Sequence, residues 1–137
     1  MSTFLLDTNV FATLARPIPN RRIVRAFEKH EAVLVTAALV IHEMWFGIQR
    51  LPPSKKRVHL ERFMIDVVGG IRVLPYGERA ARWHANERVR LTAAGRPPPF
   101  LDGQIAAIAA VHDATVVTAN VAHFEPFEGI RVEDWST

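Results

Sequence analysis

Short apolar runs alternate with longer helical patterns along this sequence. The runs cover residues 4–6, 33–35, 71–74 and 115–118, with a shorter candidate at 130–132, and each has the length and composition of a buried strand. Between them, apolar residues recur at helical spacing over residues 9–15, 21–30, 37–51, 55–68, 78–93 and 101–112. This alternation predicts one α/β domain over residues 1–137, a three-layer fold with a mainly parallel sheet of four to five strands flanked by helices.

The composition excludes several classes of site. The 137 residues include no cysteine, so there are no disulfides, no thiolate zinc sites and no cysteine nucleophile. Asp7 interrupts the first apolar stretch before a signal peptide could form, and the longest apolar run, residues 32–41, is too short to cross a bilayer. We therefore expect a cytoplasmic protein without membrane contacts.

Arginine supplies most of the positive charge. The net charge is +3, and 14 of the 17 basic residues are arginine, whose planar fork matches phosphate oxygens. A nucleic-acid partner would explain this preference, and so would a high genomic G+C content.

An acid follows the first strand. In Leu5-Leu6-Asp7-Thr8-Asn9, Asp7 stands where open α/β sheets bind ligands, at the carboxyl end of a parallel strand. The alternative is a carboxylate that only caps the next helix, because Asp is also a common N-cap.

Two further acids lie on apolar helix faces. Glu43 shares the expected buried stripe of its helix, where Thr36 is the predicted cap; that stripe comprises Leu39, Val40, Phe46, Gly47 and Leu51. Asp102 shares a face with Ile105, Ala106 and Ala109. A lone carboxylate there is costly without a cation or several donors. The alternatives are a buried arginine partner for Glu43 and a simple helix cap for Asp102.

Asn120 follows the fourth strand, at the same sheet edge as Asp7. If the first and fourth strands are neighbours, Asp7, Asp102 and Asn120 converge, and Glu43 reaches them from the helix after the second strand. Carboxylate and amide oxygens suit Mg²⁺ or Mn²⁺ rather than zinc. Such ions serve phosphoryl chemistry by activating water and neutralising phosphate charge.

These motifs, in this order, resemble the PIN-domain nucleases. The similarity rests on Leu5-Leu6-Asp7-Thr8-Asn9, the Glu43 helix, Phe100-Leu101-Asp102-Gly103-Gln104-Ile105-Ala106 and Thr118-Ala119-Asn120-Val121-Ala122-His123-Phe124. The ending Gly129-Ile130-Arg131-Val132-Glu133-Asp134-Trp135 is similar to the VapC-type toxin branch. The resemblance implies a Mg²⁺-dependent endoribonuclease toxin of a type II toxin–antitoxin system, with Mn²⁺ as a possible substitute. It further implies an RNA substrate, a VapB-type antitoxin and a homodimer within their complex.

Position by position, the resemblance assigns roles to the polar residues. The catalytic set is Asp7, Glu43, Asp102 and Asn120, and the metal ligands are Asp7, Glu43 and Asp102. Thr8, Asn9 and Thr118 are supporting residues. Asn120 departs from the fourth acid of many family members and carries no charge, so a second metal would be held more weakly. A non-cleaving module that joins an antitoxin in a DNA-bound repressor complex is the alternative function.

Three surface assignments complete the expectations. The RNA-binding candidates are Arg79, Arg82, Arg90 and Arg96, of which the first three, with Asn86, lie near one helical face. A solvated helix face is the alternative for each of them. We expect His123 to cap local backbone rather than to contact phosphate. A partner helix could be seated on apolar surface offered by Leu14, Ile48, Leu51 and Phe63.

Overall fold

Five parallel strands form the centre of the molecule, a computed structural model in which residues 3–137 are described. The strands are β1 (Thr3–Leu6), β2 (Leu34–Ala37), β3 (Arg72–Leu74), β4 (Ala114–Val117) and β5 (Arg131–Glu133). Their order in the sheet is β3-β2-β1-β4-β5, and every neighbouring pair is parallel. The predicted α/β fold is confirmed, and the candidate fifth strand is present.

Seven helices surround this sheet in the described part of the chain. They are α1 (Thr8–Leu14), α2 (Arg21–Lys29), α3 (Ala38–Gln49), α4 (Lys55–Asp66), α5 (Glu78–Ala93), α6 (Phe100–Val111) and α7 (Val121–Phe124). Six of them match the predicted segments within a few residues. The short α7 was not predicted, because four residues are too few to show a helical period. Within residues 3–137, no helix is both long and apolar enough to span a bilayer.

Helix caps show where local chemistry directs the fold. Ser54 caps α4 by accepting from Arg57 N, as its position before the helix suggests. The predicted cap by Thr36 is wrong: its buried hydroxyl donates to Leu6 O at 2.9 Å. Thr36 lies inside β2, so its hydroxyl donates to a carbonyl of the neighbouring strand β1 instead of accepting from an amide of the next helix.

Strand register brings the carboxyl ends of β1 and β4 side by side. Leu6 pairs with Val117, and Asp7 N donates to Val117 O at 3.0 Å. The next residue on each chain, Asp7 and Thr118, therefore lies at the same sheet edge. The premise that the first and fourth strands are neighbours is confirmed.

Helices α6 and α3 contact each other and bury part of the sheet, α6 against β4 and α3 against β2. All five residues from Ile105 to Ala109 are buried in α6. On α3, Ile48 is buried whereas Phe46, expected in the buried stripe, is 55% exposed. The expectation for Phe46 is wrong because the core-facing side of α3 is centred nearer to Val40 and Ile48, two residues that lie about 80° apart on the helix.

Candidate active site

Asp7 is a buried carboxylate at the centre of the sheet edge. As the N-cap of α1, its Oδ1 accepts from Thr8 N at 2.8 Å. Its Oδ2 accepts from Thr118 Oγ1 at 3.0 Å and from Asn9 Nδ2 at 3.3 Å. Capping is thus only part of the role of Asp7, because its Oδ2 is held by Thr118, the residue that follows β4.

A closed hydrogen-bond network fixes the segments around Asp7. Asn9 Nδ2 donates to Thr118 Oγ1 at 3.0 Å, and Asn9 Oδ1 accepts from Ala119 N at 2.9 Å. Thr118 Oγ1 also accepts from Asn120 N at 3.0 Å. Asn9 and Thr118 therefore clamp the end of β1 to the end of β4 and orient Asp7. Asn120 itself is exposed at the rim of this network.

Asp102 lies in the first turn of α6, and its carboxylate contacts the side chain of His123 on α7. His123 Nδ1 is 3.2 Å from Asp102 Oδ2. The expectation that His123 caps local backbone is therefore wrong. Asp102 is not the helix cap either, since Pro99 occupies that position. The signal in the sequence that could have indicated this contact is the position of His123 three residues after Asn120. That spacing places it about one helical turn beyond the sheet edge that carries Asp7.

Burial and mutual repulsion govern the charges of this site. Burial raises the pKa of Asp7, opposed by hydrogen bonds from Thr8 N and Thr118, while the charges of Asp102 and Glu43 raise it further. Burial likewise raises the pKa of Asp102, where His123 acts in the opposite direction and Glu43 again raises it. Asp7 and Asp102 thus lie close enough to Glu43 for its charge to oppose their ionisation.

Glu43 stands at the edge of an apolar groove between α1, α3 and α4. No arginine within residues 3–137 forms an ion pair with Glu43, so the predicted alternative of a buried arginine partner is wrong. The groove encloses about 220 Å³ and is lined by Thr8, Ala12, Ala15, Glu43, Met44, Gly47, Ile48, Leu60, Phe63 and Met64. Ile48 and Phe63 were expected on such a surface, whereas Leu14 and Leu51 lie outside the lining. Thr8 Oγ1 is buried there without a hydrogen-bond partner.

Asp7, Glu43 and Asp102 are neighbours, but their side chains do not together form a complete set of metal ligands. Among the described residues 3–137, no three His, Asp or Glu side chains stand close enough together to hold one ion in their present positions. Like charges separate when no cation is between them, and His123 occupies one oxygen of Asp102. The donor set is nevertheless all oxygen, which is the set that Mg²⁺ and Mn²⁺ prefer.

The four arginines predicted to bind RNA do not lie on one common surface. Arg79, Arg82 and Asn86 line a shallow pocket of about 330 Å³ with Val111. Val111 ends α6, nine residues and therefore about 13 Å along the helix from Asp102. Arg90 binds Glu87 at 2.8 Å, approaches Glu128 at 3.5 Å and donates to Pro126 O.

Arg96 is exposed in the connector before α6. The structure therefore brings together only Arg79 and Arg82 of the four candidates, and the RNA contact of each remains a prediction.

The family model for the PIN domain matches residues 4–125. The chain belongs to the PIN-domain family. Toxin FitB of Neisseria gonorrhoeae is 34% identical over 88% of this chain and 89% of its own length. The tRNA(fMet)-specific endonuclease VapC of Salmonella typhimurium is 30% identical over 98% of this chain and 99% of its own length. A solved structure of FitAB bound to the IR36 DNA fragment has a TM-score of 0.89 and 30% identity, and covers 98% of this chain and 96% of its counterpart. The resemblance to VapC-type PIN domains, seen first in the motifs, is confirmed.

Proposed function

We propose that this PIN domain is an endoribonuclease toxin of a type II toxin–antitoxin system, which hydrolyses RNA phosphodiester bonds with the help of Mg²⁺. The observation that carries the proposal is the buried Asp7 carboxylate at the carboxyl end of β1, fixed by Thr118 and Asn9, with Asp102 and Glu43 near enough for their charges to act on it. Carboxylates that raise one another's pKa in the metal-free protein are stabilised when a cation binds between them, which is the arrangement expected of a metal-dependent active site.

The residues present fit a divalent cation. Asp7, Asp102 and Glu43 would hold the ion, and Asn120 offers an amide oxygen at the rim. Thr8 Oγ1, buried without a partner beside Glu43, is an oxygen still free to bind a ligand of the site. Mg²⁺, or Mn²⁺ in its place, supplies activation of water and neutralisation of phosphate charge when bound.

The protein's own groups position these ligands. Thr118 and Asn9 hold Asp7 Oδ2, so the carboxylate has a fixed direction before substrate arrives. His123 keeps Asp102 turned toward α7 and must release or share Oδ2 when a cation binds.

RNA as substrate is supported by the Salmonella VapC, whose name describes a tRNA-specific endonuclease. The test is to incubate the purified protein with total RNA in Mg²⁺ or EDTA and to sequence the new ends. We expect discrete ends in Mg²⁺ that are missing in EDTA and missing with Asp7→Asn. RNA that stays intact with the unaltered protein in Mg²⁺ and Mn²⁺ contradicts the proposal.

A VapB-type antitoxin is the proposed inhibitor of this site. The groove of α1, α3 and α4 suits the apolar face of an amphipathic helix, and it opens at Glu43. A cationic side chain at the end of such a helix could enter the acidic pocket when no metal is present. We further propose a homodimer within the complex.

A non-cleaving role in a DNA-bound repressor complex is the second candidate, favoured by the likeness to FitAB on DNA. The RNA incubation separates the two, because a non-cleaving module produces no new ends under any metal.

A further inference from the structure

We propose that the basic face of α2, with two adjoining clefts, is the path along which the phosphate backbone of single-stranded RNA approaches Asp7. This inference rests on the proposed function, since it names the surface by which the same site receives its substrate.

Helix α2 concentrates unpaired positive charge. Its nine residues carry four cations and one acid, a surplus equal to the net charge of +3 on the whole chain. The cations are Arg21, Arg22, Arg25 and Lys29, all exposed. None of the four forms an ion pair with a carboxylate among residues 3–137. By contrast, carboxylates partly neutralise arginines on other elements, namely Arg57, Arg82, Arg90 and Arg131.

Two clefts connect this face to the active site. The first, of about 360 Å³, begins at Asn9 and Ala119 and extends past Arg16. The second, of about 500 Å³, runs along Arg22, Arg25 and Lys29. Both clefts are lined by Asp134 and Trp135, so they adjoin each other.

The inner end of the first cleft reaches the reactive edge of the sheet. Asn9 and Ala119 are hydrogen-bonded to each other, and Asn9 Nδ2 donates to Asp7 Oδ2. A strand that follows both clefts therefore arrives beside the carboxylate proposed to hold the metal. Asn9 is the side chain that stands between the inner end of the first cleft and that carboxylate.

The acids in the clefts are already engaged by neighbouring donors. Trp135 Nε1 donates to Glu133 at 3.2 Å, and Ser136 donates to Asp134 from its amide and its hydroxyl. Neither acid pairs with an α2 cation, so the arginines keep their full charge for another anion. A polyanion is the complementary ligand, and phosphate contacts of this kind bind without reading sequence.

The experiment measures binding of a short single-stranded RNA to the full chain in EDTA across a salt series, where no metal-dependent cleavage interferes. Arg22→Gln/Arg25→Gln is compared with Arg62→Gln/Arg72→Gln, a control that removes the same charge from exposed positions outside the clefts. Arg79→Gln/Arg82→Gln tests the competing surface on α5. Thermal melts confirm that all three variants are folded.

We expect the α2 variant to weaken binding at least tenfold at low salt. Its slope of log K against log salt should fall by about 1.4, the release expected for two phosphate contacts on a single strand. The control should change little. An unchanged slope in the α2 variant, an equal loss in the control, or a larger loss in the α5 variant would each overturn the proposal.

Two further outcomes separate this inference from its premise. If the α2 variant keeps the RNA slope but changes the oligomeric state in light scattering, the face is an interface between copies and the proposal fails. If the unaltered protein cleaves no RNA in Mg²⁺ while the α2 effect holds, the proposed nuclease function fails and the RNA path stands.

Discussion

His123 Nδ1 lies 3.2 Å from Asp102 Oδ2, and this contact opposes the rise that burial imposes on the pKa of Asp102. His123→Ala should therefore raise the pKa of Asp102 further, because desolvation then acts with less opposition. Carboxyl-resolved NMR titration of the metal-free protein would measure the shift, with His59→Ala, an exposed histidine on α4, as the control. An unchanged or lower pKa would show that the contact is absent in solution.

Each proposed metal ligand should be separately required. Asp7→Asn, Glu43→Gln and Asp102→Asn should each lower RNA cleavage by at least about a hundredfold, a loss of roughly 3 kcal/mol in transition-state stabilisation. Each should also reduce the rise in melting temperature that Mg²⁺ gives to the unaltered protein, since stabilisation follows ligand affinity. Asp66→Asn, an exposed acid at the end of α4, is the control. A variant that keeps the full Mg²⁺ stabilisation is not a ligand variant.

The metal-free protein should lose stability as pH rises above the ordinary range of an aspartate. The pKa values of Asp7 and Asp102 are raised on folding, so the folded state holds more protons than the unfolded state between the unfolded and folded pKa values. Unfolding free energy therefore falls with pH across that window and is fully retained below it. Urea denaturation in EDTA at a series of pH values should show this slope. Glu87, whose pKa the hydrogen bond from Arg90 lowers, contributes in the opposite direction, so the unaltered protein must be compared with Asp7→Asn. Asp7→Asn should lose less stability with rising pH than the unaltered protein, and equal slopes would contradict the assignment.

Glycine is required at position 103 because the side chain of His84 packs closely against its Cα. A methyl group on its Cα would overlap the imidazole of His84, which is 2% exposed and accepts or donates through Nδ1 to Tyr76 OH. Gly103→Ala should destabilise the fold by roughly 1–3 kcal/mol despite the better helix propensity of alanine. The double variant with His84→Ala should be less destabilised than the sum of the single changes, by about 1 kcal/mol or more in urea unfolding. Strict additivity would exclude this contact as the cause.

Gly47 offers the opposite test, since a Cβ there meets no atom within 4 Å. Gly47→Leu should fill the groove of α1, α3 and α4 while leaving the fold as stable or up to about 1 kcal/mol more stable. Antitoxin affinity, measured by calorimetry, should fall at least about tenfold, or 1.4 kcal/mol. Val58→Leu, on the exposed outer face of α4, should bind as the unaltered protein does. Equal affinity for both variants would place the antitoxin elsewhere.

Local patterns predicted the elements of this fold well, because six helices and five strands each carry their own period. The position of Asp7 at the carboxyl end of β1, beside the end of β4, also followed from the order of strands and helices. Contacts made across the sheet were not predictable in that way. Thr36 has the sequence position of a cap but donates to Leu6 O, and His123 has the position of a turn residue but contacts Asp102. In both cases a distant partner competes with the local one, and its place depends on packing that no local spacing encodes.

The basic face of α2 was missed for a different reason. The apolar side of α2 predicts the helix. Whether its cations are available to bind an anion depends on whether acids from other segments of the chain pair with them. Only the folded chain shows that Arg22, Arg25 and Lys29 keep their charge while Arg90 does not.

The central strand β1 is made early, and the segment that completes its edge is made late. Asp7 Oδ2 is held by Thr118, 111 positions further along the chain. A ribosome must therefore translate nearly all of this sequence before the carboxylate acquires its final orientation. Nascent chains that stall earlier carry the acids without the assembled edge, so the proposed active site forms only when synthesis of the chain is almost finished.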